Sequence, residues 1–187
     1  MAKTINFCGD SYCASNTEKS WITILSNLLG YKTIGRGKNG SAHEHAIQSF
    51  NPKADITVFC WTEPHRIYHP TYSLNSTTAR RNKNWNKVYA AAHAYYHFVH
   101  DWQHNKLRQM RELYWFDHEV LSKYSGKVVH CWGFENTYDW KHGTVYGDVF
   151  CEWSDPQGDG KRINHFTIEE NKLLANNLYK LLRNENG

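Results

Sequence analysis

A chain of 187 residues, 40% of them apolar, holds enough material for one hydrophobic core and too little for two comfortable ones. Its formal net charge of +4 comes from basic residues spread along the sequence, apart from Arg80-Arg81-Asn82-Lys83. A short basic run in a polar loop reads as solvated surface, which sets nucleic-acid binding aside. No apolar run approaches a membrane span, and a strand pattern occupies the amino terminus where a signal peptide would carry its basic and apolar regions. Neither a membrane partner nor that export route is expected. Cys8, Cys13, Cys60, Cys131 and Cys151 are odd in number and widely scattered. Reduced core thiols are the expectation, which suits a cytosolic compartment.

In chain order, Thr4 to Cys8 reads as a short buried strand, because β-branched and aromatic residues fit a pleated sheet and Gly9-Asp10 punctuate its end. Ser11 then stands at the carboxyl end of the first strand. Ligands of open α/β sheets bind there, and a helix starting just beyond it aims free N–H groups at an anionic centre. Trp21 to Leu29 has apolar residues at helical spacing, with Gly30 as its stop. Tyr31 to Ile34 is a short strand. It leads into Gly35-Arg36-Gly37-Lys38-Asn39-Gly40-Ser41, a loop whose glycines let the backbone approach a ligand, and then into a helix at Ala42 to Phe50. Asp55 to Trp61 is the clearest buried strand, bounded by Asn51-Pro52 and by Thr62-Glu63-Pro64.

Residues 67 to 84 are polar and without periodicity, so they read as a long loop or lid. From about Trp85 to Leu121 a single long helix is expected, with Tyr89, Ala92, Tyr96, Val99, Met110, Leu113, Tyr114, Val120 and Leu121 forming an apolar stripe. Beside it His93, His97, His100 and His104 recur at intervals of four, three and four, which places four imidazoles on one helix face. Paired histidines one turn apart can bind zinc, but a His-Glu-x-x-His pattern and a nearby cysteine pair are both missing, and the row borders the core. The row is therefore read as amphipathic edge or substrate-facing polar groups, His43-Glu44-His45 carries less weight still, and no metal or cofactor is assigned. Gly126 to Gly133 is the next strand, and the alternation of strand and helix implies a parallel sheet. Residues 134 to 158 are irregular, aromatic and acidic, with a short extended piece at Thr144 to Phe150. Loops in this position shape a site. The chain closes on Asp159-Gly160-Lys161-Arg162-Ile163-Asn164-His165-Phe166-Thr167 and a helical tail whose apolar positions run from Ile168 to Leu182, started by a Thr167–Glu170 capping box.

Read alone, Gly9-Asp10-Ser11 is as well explained as a helix-capping turn. Taken with the segments that follow, it resembles the first block of the SGNH, or GDSL-like, hydrolases, and the resemblance extends in order over nearly the whole chain. The glycine-rich loop is similar to the second block, whose last glycine supplies an oxyanion-hole N–H, and Gly40 is in register with it. The third block, normally a Gly-x-Asn-Asp turn with an oxyanion-binding asparagine, is replaced by Thr62-Glu63-Pro64-His65-Arg66, a Trp-Thr-x-x-x-Arg turn that resembles phage-encoded members. Loss of one oxyanion donor lowers turnover by roughly a hundredfold to a thousandfold, with Thr62, Arg66 or Asn39 available as substitutes. His165, just before the last helix, matches the catalytic histidine of the fifth block. The family's aspartate three residues earlier is here Arg162, which leaves Asp159, Asp155 or a backbone carbonyl to orient the imidazole.

The resemblance implies a single α/β domain over residues 1–187, a three-layer sandwich with a central parallel sheet of about four or five strands in flavodoxin-like order. The polar loop and long helix at about 67–122 would be an insertion. It also implies an esterase or carbohydrate O-deacetylase that forms an acyl-enzyme on Ser11, with His165 as general base and acid, Asp159 orienting it, and the N–H groups of Ser11 and Gly40 holding the oxyanion. The substrate would be a small-molecule or glycan ester, in host cytoplasm or a virion. The alternative is a catalytically weakened module of the same fold that binds a glycan or partner protein.

Overall fold

The computed structural model describes residues 2–153, 163 and 165–184. Five strands, β1 (Thr4–Gly9), β2 (Lys32–Gly35), β3 (Ile56–Trp61), β4 (Lys127–Trp132) and β5 (Thr144–Val149), form one sheet in the order β2-β1-β3-β4-β5. Every neighbouring pair is parallel. The expected flavodoxin-like parallel sheet is present, and the extended piece after residue 143 is its fifth strand. The three inner strands are buried almost end to end because helices cover both faces.

Side chains alternate between those faces. Ile5, Phe7, Ile56, Val58, Cys60, Val129 and Cys131 point to one side, where they meet Trp21, Ile22 and Leu25 of α1 (Trp21–Leu29) and Leu174, Ala175, Leu178 and Leu182 of the carboxyl-terminal helix. Cys8, Phe59, Trp61, Val128 and Trp132 point to the other, against Ala46 of α2 (His43–Gln48) and Leu113, Phe116 and Leu121. Cys8, Cys13, Cys60 and Cys131 are free thiols buried in these layers.

The segment between β3 and β4 departs from the sequence reading in two ways. Residues 76–82 of the expected loop form a helix, α3 (Ser76–Asn82), opened by a capping box in which Asn75 and Thr78 bond each other's backbone N–H. The expected long helix is broken into α4 (Lys87–Phe98) and α5 (Trp102–Trp115), followed by a π-helical turn at Phe116–Val120 and a 3-10 turn at Leu121–Lys123. Asp101 makes the break, because its carboxylate accepts the backbone N–H of His104 at 2.6 Å and so caps a new helix. As a result the apolar stripe does not stay on one side: Leu113 is buried, while Val99 and Tyr114 are exposed. The four histidines share no single helix face, with His93 and His97 on α4, His100 in the break and His104 on α5. Leu74, Ala79, Tyr89 and Ala92 give the α3–α4 hairpin a small core of its own.

The last two helices are α6 (Phe150–Trp153) and α7 (Ile168–Asn184). Thr167 and Glu170 make the expected capping box, with Glu170 accepting from the Thr167 N–H at 2.7 Å and Thr167 Oγ1 accepting from the Glu170 N–H at 3.2 Å.

Candidate active site

Strand β1 ends at Gly9, and the chain turns at once into a 3-10 helix, Ser11–Cys13. Asp10 caps that turn: its Oδ1 accepts the Tyr12 N–H at 3.0 Å, and its backbone carbonyl accepts from the Cys13 N–H at 3.2 Å. Ser11 is thereby held at the carboxyl end of β1, an inner strand of the sheet. From the far end of the sequence, His165 brings its Nε2 to 2.7 Å from Ser11 Oγ. A serine and a histidine separated by 154 positions are in hydrogen-bonding contact, with the geometry that proton transfer between them needs.

His165 is the one non-glycine among the described residues with a positive φ, at 69°. Left-handed backbone at such a residue costs about 1–3 kcal/mol and persists only where the surroundings impose it. Here Ile163 and Phe166 close the turn with reciprocal backbone hydrogen bonds of 2.9 and 3.0 Å. Asn171, fully buried on α7, donates Nδ2 to the carbonyls of Ile163, Phe166 and Thr167, while its Oδ1 accepts the first N–H of α1 at 2.8 Å. The Tyr12 ring packs 4.8 Å from the imidazole, and Trp21 Nε1 donates to the Tyr12 carbonyl at 2.7 Å. Asp159 and Asp155, the expected carboxylate partners of His165, and Arg162 lie outside the described residues.

The glycine-rich loop is laced onto the nucleophile turn. Lys38 N–H and Ser41 Oγ both donate to the Gly9 carbonyl, at 2.9 and 3.1 Å, and Gly37 N–H donates to the Cys13 carbonyl at 2.9 Å. A Cβ at Gly37 would lie 2.3 Å from the Asp10 carbonyl oxygen, so this close approach requires glycine. Gly40 sits at φ +65° beneath Ser73, whose Oγ donates to the carbonyl of Asn39. Asn39 itself is exposed.

Thr62 and Arg66 are placed differently from an open oxyanion donor. Thr62 is buried at the end of β3, its carbonyl accepting from Gln109 Nε2 at 2.9 Å. Arg66 is only 6% exposed. Its Nη1 donates to Asp10 Oδ2 at 3.1 Å and to the Ser41 carbonyl at 3.3 Å, and its Nε donates to Glu63 Oε1 at 2.8 Å. The guanidinium also lies 5.2 Å from the centre of the Phe134 ring. Burial pushes the Asp10 carboxyl above its ordinary pKa, and the Arg66 charge and the Tyr12 N–H work against that rise. Glu63 behaves in the opposite way: burial would raise it, but His65 and Arg66 outweigh that effect and hold it down at about 2. Arg66 and its neighbours Ile67 and Leu74 also wall a mostly apolar cavity of about 510 Å³ with Val88, Ala92 and Tyr95, within the size range of small-molecule pockets.

Away from the pair, His43, Glu44 and Glu112 bring three potential ligand atoms within 4.8 Å. These groups already contact partners within the protein: His43 Nε2 lies 2.7 Å from Glu112 Oε2, and Arg108 Nη2 lies 3.5 Å from Glu44 Oε1.

Sequence reasoning missed Asp10, Glu63 and Asn171 as parts of this site. The available signal for the first two was position, since a charged residue just beyond a buried parallel strand sits where sites form. Asn171 gave no signal, being one polar residue in an amphipathic helix.

The chain is thus a three-layer α/β protein with a Ser–His pair at the carboxyl ends of its parallel strands. No protein-family model matches it, and no curated protein matches it. One solved structure, "a putative arylesterase from Agrobacterium tumefaciens str. C58", aligns over 97% of this chain and 99% of its own length, with a TM-score of 0.48 and 9% sequence identity.

Proposed function

We propose that the protein is a serine hydrolase that cleaves esters through an acyl-enzyme on Ser11. The observation that carries the reading is the 2.7 Å contact between His165 Nε2 and Ser11 Oγ. In the first half-reaction His165 Nε2 takes the hydroxyl proton as Oγ bonds to the ester carbonyl carbon. The resulting oxyanion is received by the N–H groups of Ser11 and Gly40. Collapse breaks the bond to the alkoxy oxygen, which leaves with the proton from His165. Water then repeats the sequence: it gives a proton to His165, attacks the acyl carbon, and releases the acid as Ser11 regains its hydrogen. Asp159 or Asp155 is the proposed orienting carboxylate.

Order of blocks along the chain supports membership of the SGNH type, and the wealth of aromatic residues supports a glycan or other polar ester, with an acetylated sugar as the first substrate to try. A second reading, a module of this fold that binds a glycan or partner protein, is favoured by one specific observation. Arg66, one of the three residues named as substitutes for the missing oxyanion donor, gives its hydrogen bonds to Asp10, Glu63 and Ser41.

Labelling with a fluorophosphonate probe followed by peptide mass spectrometry separates the two. Hydrolysis requires modification at Ser11, lost in Ser11→Ala and reduced by orders of magnitude in His165→Ala. A folded wild type that takes up no probe sinks the hydrolase reading and leaves the binding module.

A further inference from the structure

Arg66 is surrounded by acceptors from three separate segments of the site. Asp10 belongs to the nucleophile turn, Ser41 to the glycine-rich loop, and Glu63 to the turn after β3. The guanidinium meets them with a planar fork, two bonds from Nη1 and one from Nε, which a lysine cannot reproduce. The pair it makes with Asp10 is buried on both sides, 7% and 0% exposed at the side chains, so bulk solvent does little to weaken it.

Strand pairing sets the spacing of these three segments only as far as the ends of the strands, the last pair between β1 and β3 being Gly9 and Cys60. The segments leave the ends of β1, β2 and β3, and beyond the sheet their backbones are joined by the Lys38 and Ser41 bonds to the Gly9 carbonyl and the Gly37 bond to the Cys13 carbonyl. These bonds tie the first two segments together. The turn after β3 reaches Asp10 through the Thr62 side chain and through Arg66, and of these two Arg66 also bonds the Ser41 carbonyl of the glycine-rich loop. Asp10 sits between, one carboxylate oxygen on Arg66 and the other on the Tyr12 N–H, so a displacement of the guanidinium passes directly into the 3-10 turn that carries Ser11.

We propose that Arg66 is a positioning residue: by clamping Asp10, Glu63 and the Ser41 carbonyl together, it fixes the Ser11 turn and the Gly40 loop relative to one another, and it does so without touching the substrate. The proposal deepens, and as a statement about catalysis rests on, the reading of Ser11 as nucleophile. It assigns the arginine of the altered third turn a different job from that of a substitute oxyanion donor, the role it shared as a candidate with Thr62 and Asn39. The two roles differ in what Asp10 should do. A clamp acts through Asp10, whereas an oxyanion donor acts on the substrate whatever residue lies at position 10.

The test has two arms on the 187-residue chain. The first compares amide hydrogen exchange by mass spectrometry in wild type, Arg66→Lys, Arg66→Met and Asp10→Asn. Faster exchange in peptides spanning residues 9–14 and 36–42 of the variants, with α7 unchanged, is the expected result, and unaltered exchange in both peptides overturns the clamp whether or not the protein is an enzyme. The second arm measures the rate of fluorophosphonate labelling at Ser11, and kcat and KM separately with p-nitrophenyl acetate. Arg66→Met is expected to lower the labelling rate and kcat by about a hundredfold, the scale of a roughly 1 Å misplacement, with KM nearly unchanged. Arg66→Lys should fall between the two. Asp10→Asn in the Arg66→Met background should add no further loss, because both substitutions break the same link. An additive loss in that double variant would make Arg66 a direct oxyanion donor and overturn the proposal. Should Arg66→Met fail to fold, Arg66→Lys and Asp10→Asn with their double variant carry the same comparison. An unlabelled wild type defeats the nucleophile reading alone and leaves the exchange arm to decide the clamp.

Discussion

His130 shows how a single buried residue sets a pH limit. It lies in β4 with no exposure, its Nδ1 accepting from Trp61 Nε1 at 3.0 Å, its Nε2 donating to the His142 carbonyl at 2.9 Å, and Trp140 stacked 3.7 Å away. Both nitrogens are used only by the neutral ring. Burial pushes the pKa down from 6.5 to about 3. The unfolded chain therefore binds a proton that the folded chain refuses across that interval. Stability from this group is complete above pH 6.5 and drains away as the pH falls toward 3, by up to about 5 kcal/mol. Urea unfolding measured at steps through that window is expected to show the decline, and His130→Phe should flatten it while lowering the plateau. An unchanged slope in the variant would assign the titration elsewhere.

Among the elements, the α4–α5 break is the clearest case of a local signal overriding a pattern. Apolar and histidine spacing alone supports one helix through residue 101, yet Asp101 accepts from His104 N–H and restarts the chain in a new direction. Asp101→Ala removes the cap and should cost about 1 kcal/mol, read as a small fall in thermal midpoint. A rise in helicity and stability would show instead that the continuous helix is the better-favoured state. At the glycine-rich loop, Gly40→Ala meets two obstacles: the backbone is left-handed, and the new Cβ would lie 2.8 Å from Ser73 Cβ. The expectation is a stability loss of about 1–2 kcal/mol and, under the proposed mechanism, a lower kcat as the Gly40 N–H shifts. A variant as active as wild type would remove Gly40 from the oxyanion site.

At the scale of the whole molecule, the site is assembled by long-range ties between its two ends. Asn171 is the plainest of them, since its one side chain holds the His165 turn and the start of α1. Asn171→Ala should destabilise the fold by about 2–4 kcal/mol, leaving buried backbone groups unsatisfied. It should also slow probe labelling per folded molecule, because His165 loses the support of its strained turn. A stability loss with an unchanged labelling rate would reduce Asn171 to a fold-stabilising role.

What the sequence by itself determined was the sheet and the type of layering. Strands buried on both faces are largely apolar, so β1, β3 and β4 were legible, as were α1 and the capping box of α7. The parallel arrangement followed from their alternation with helices. The ordered blocks also pointed to Ser11 and His165 as partners, but only as a resemblance. Tertiary structure alone brought those two groups to 2.7 Å and turned Arg66 inward to Asp10. It also split the long helix at Asp101. Backbone periodicity is a property of neighbours within a few residues, which one sequence displays. A hydrogen bond across 56 or 154 positions depends on how whole elements pack, and no local pattern encodes that distance.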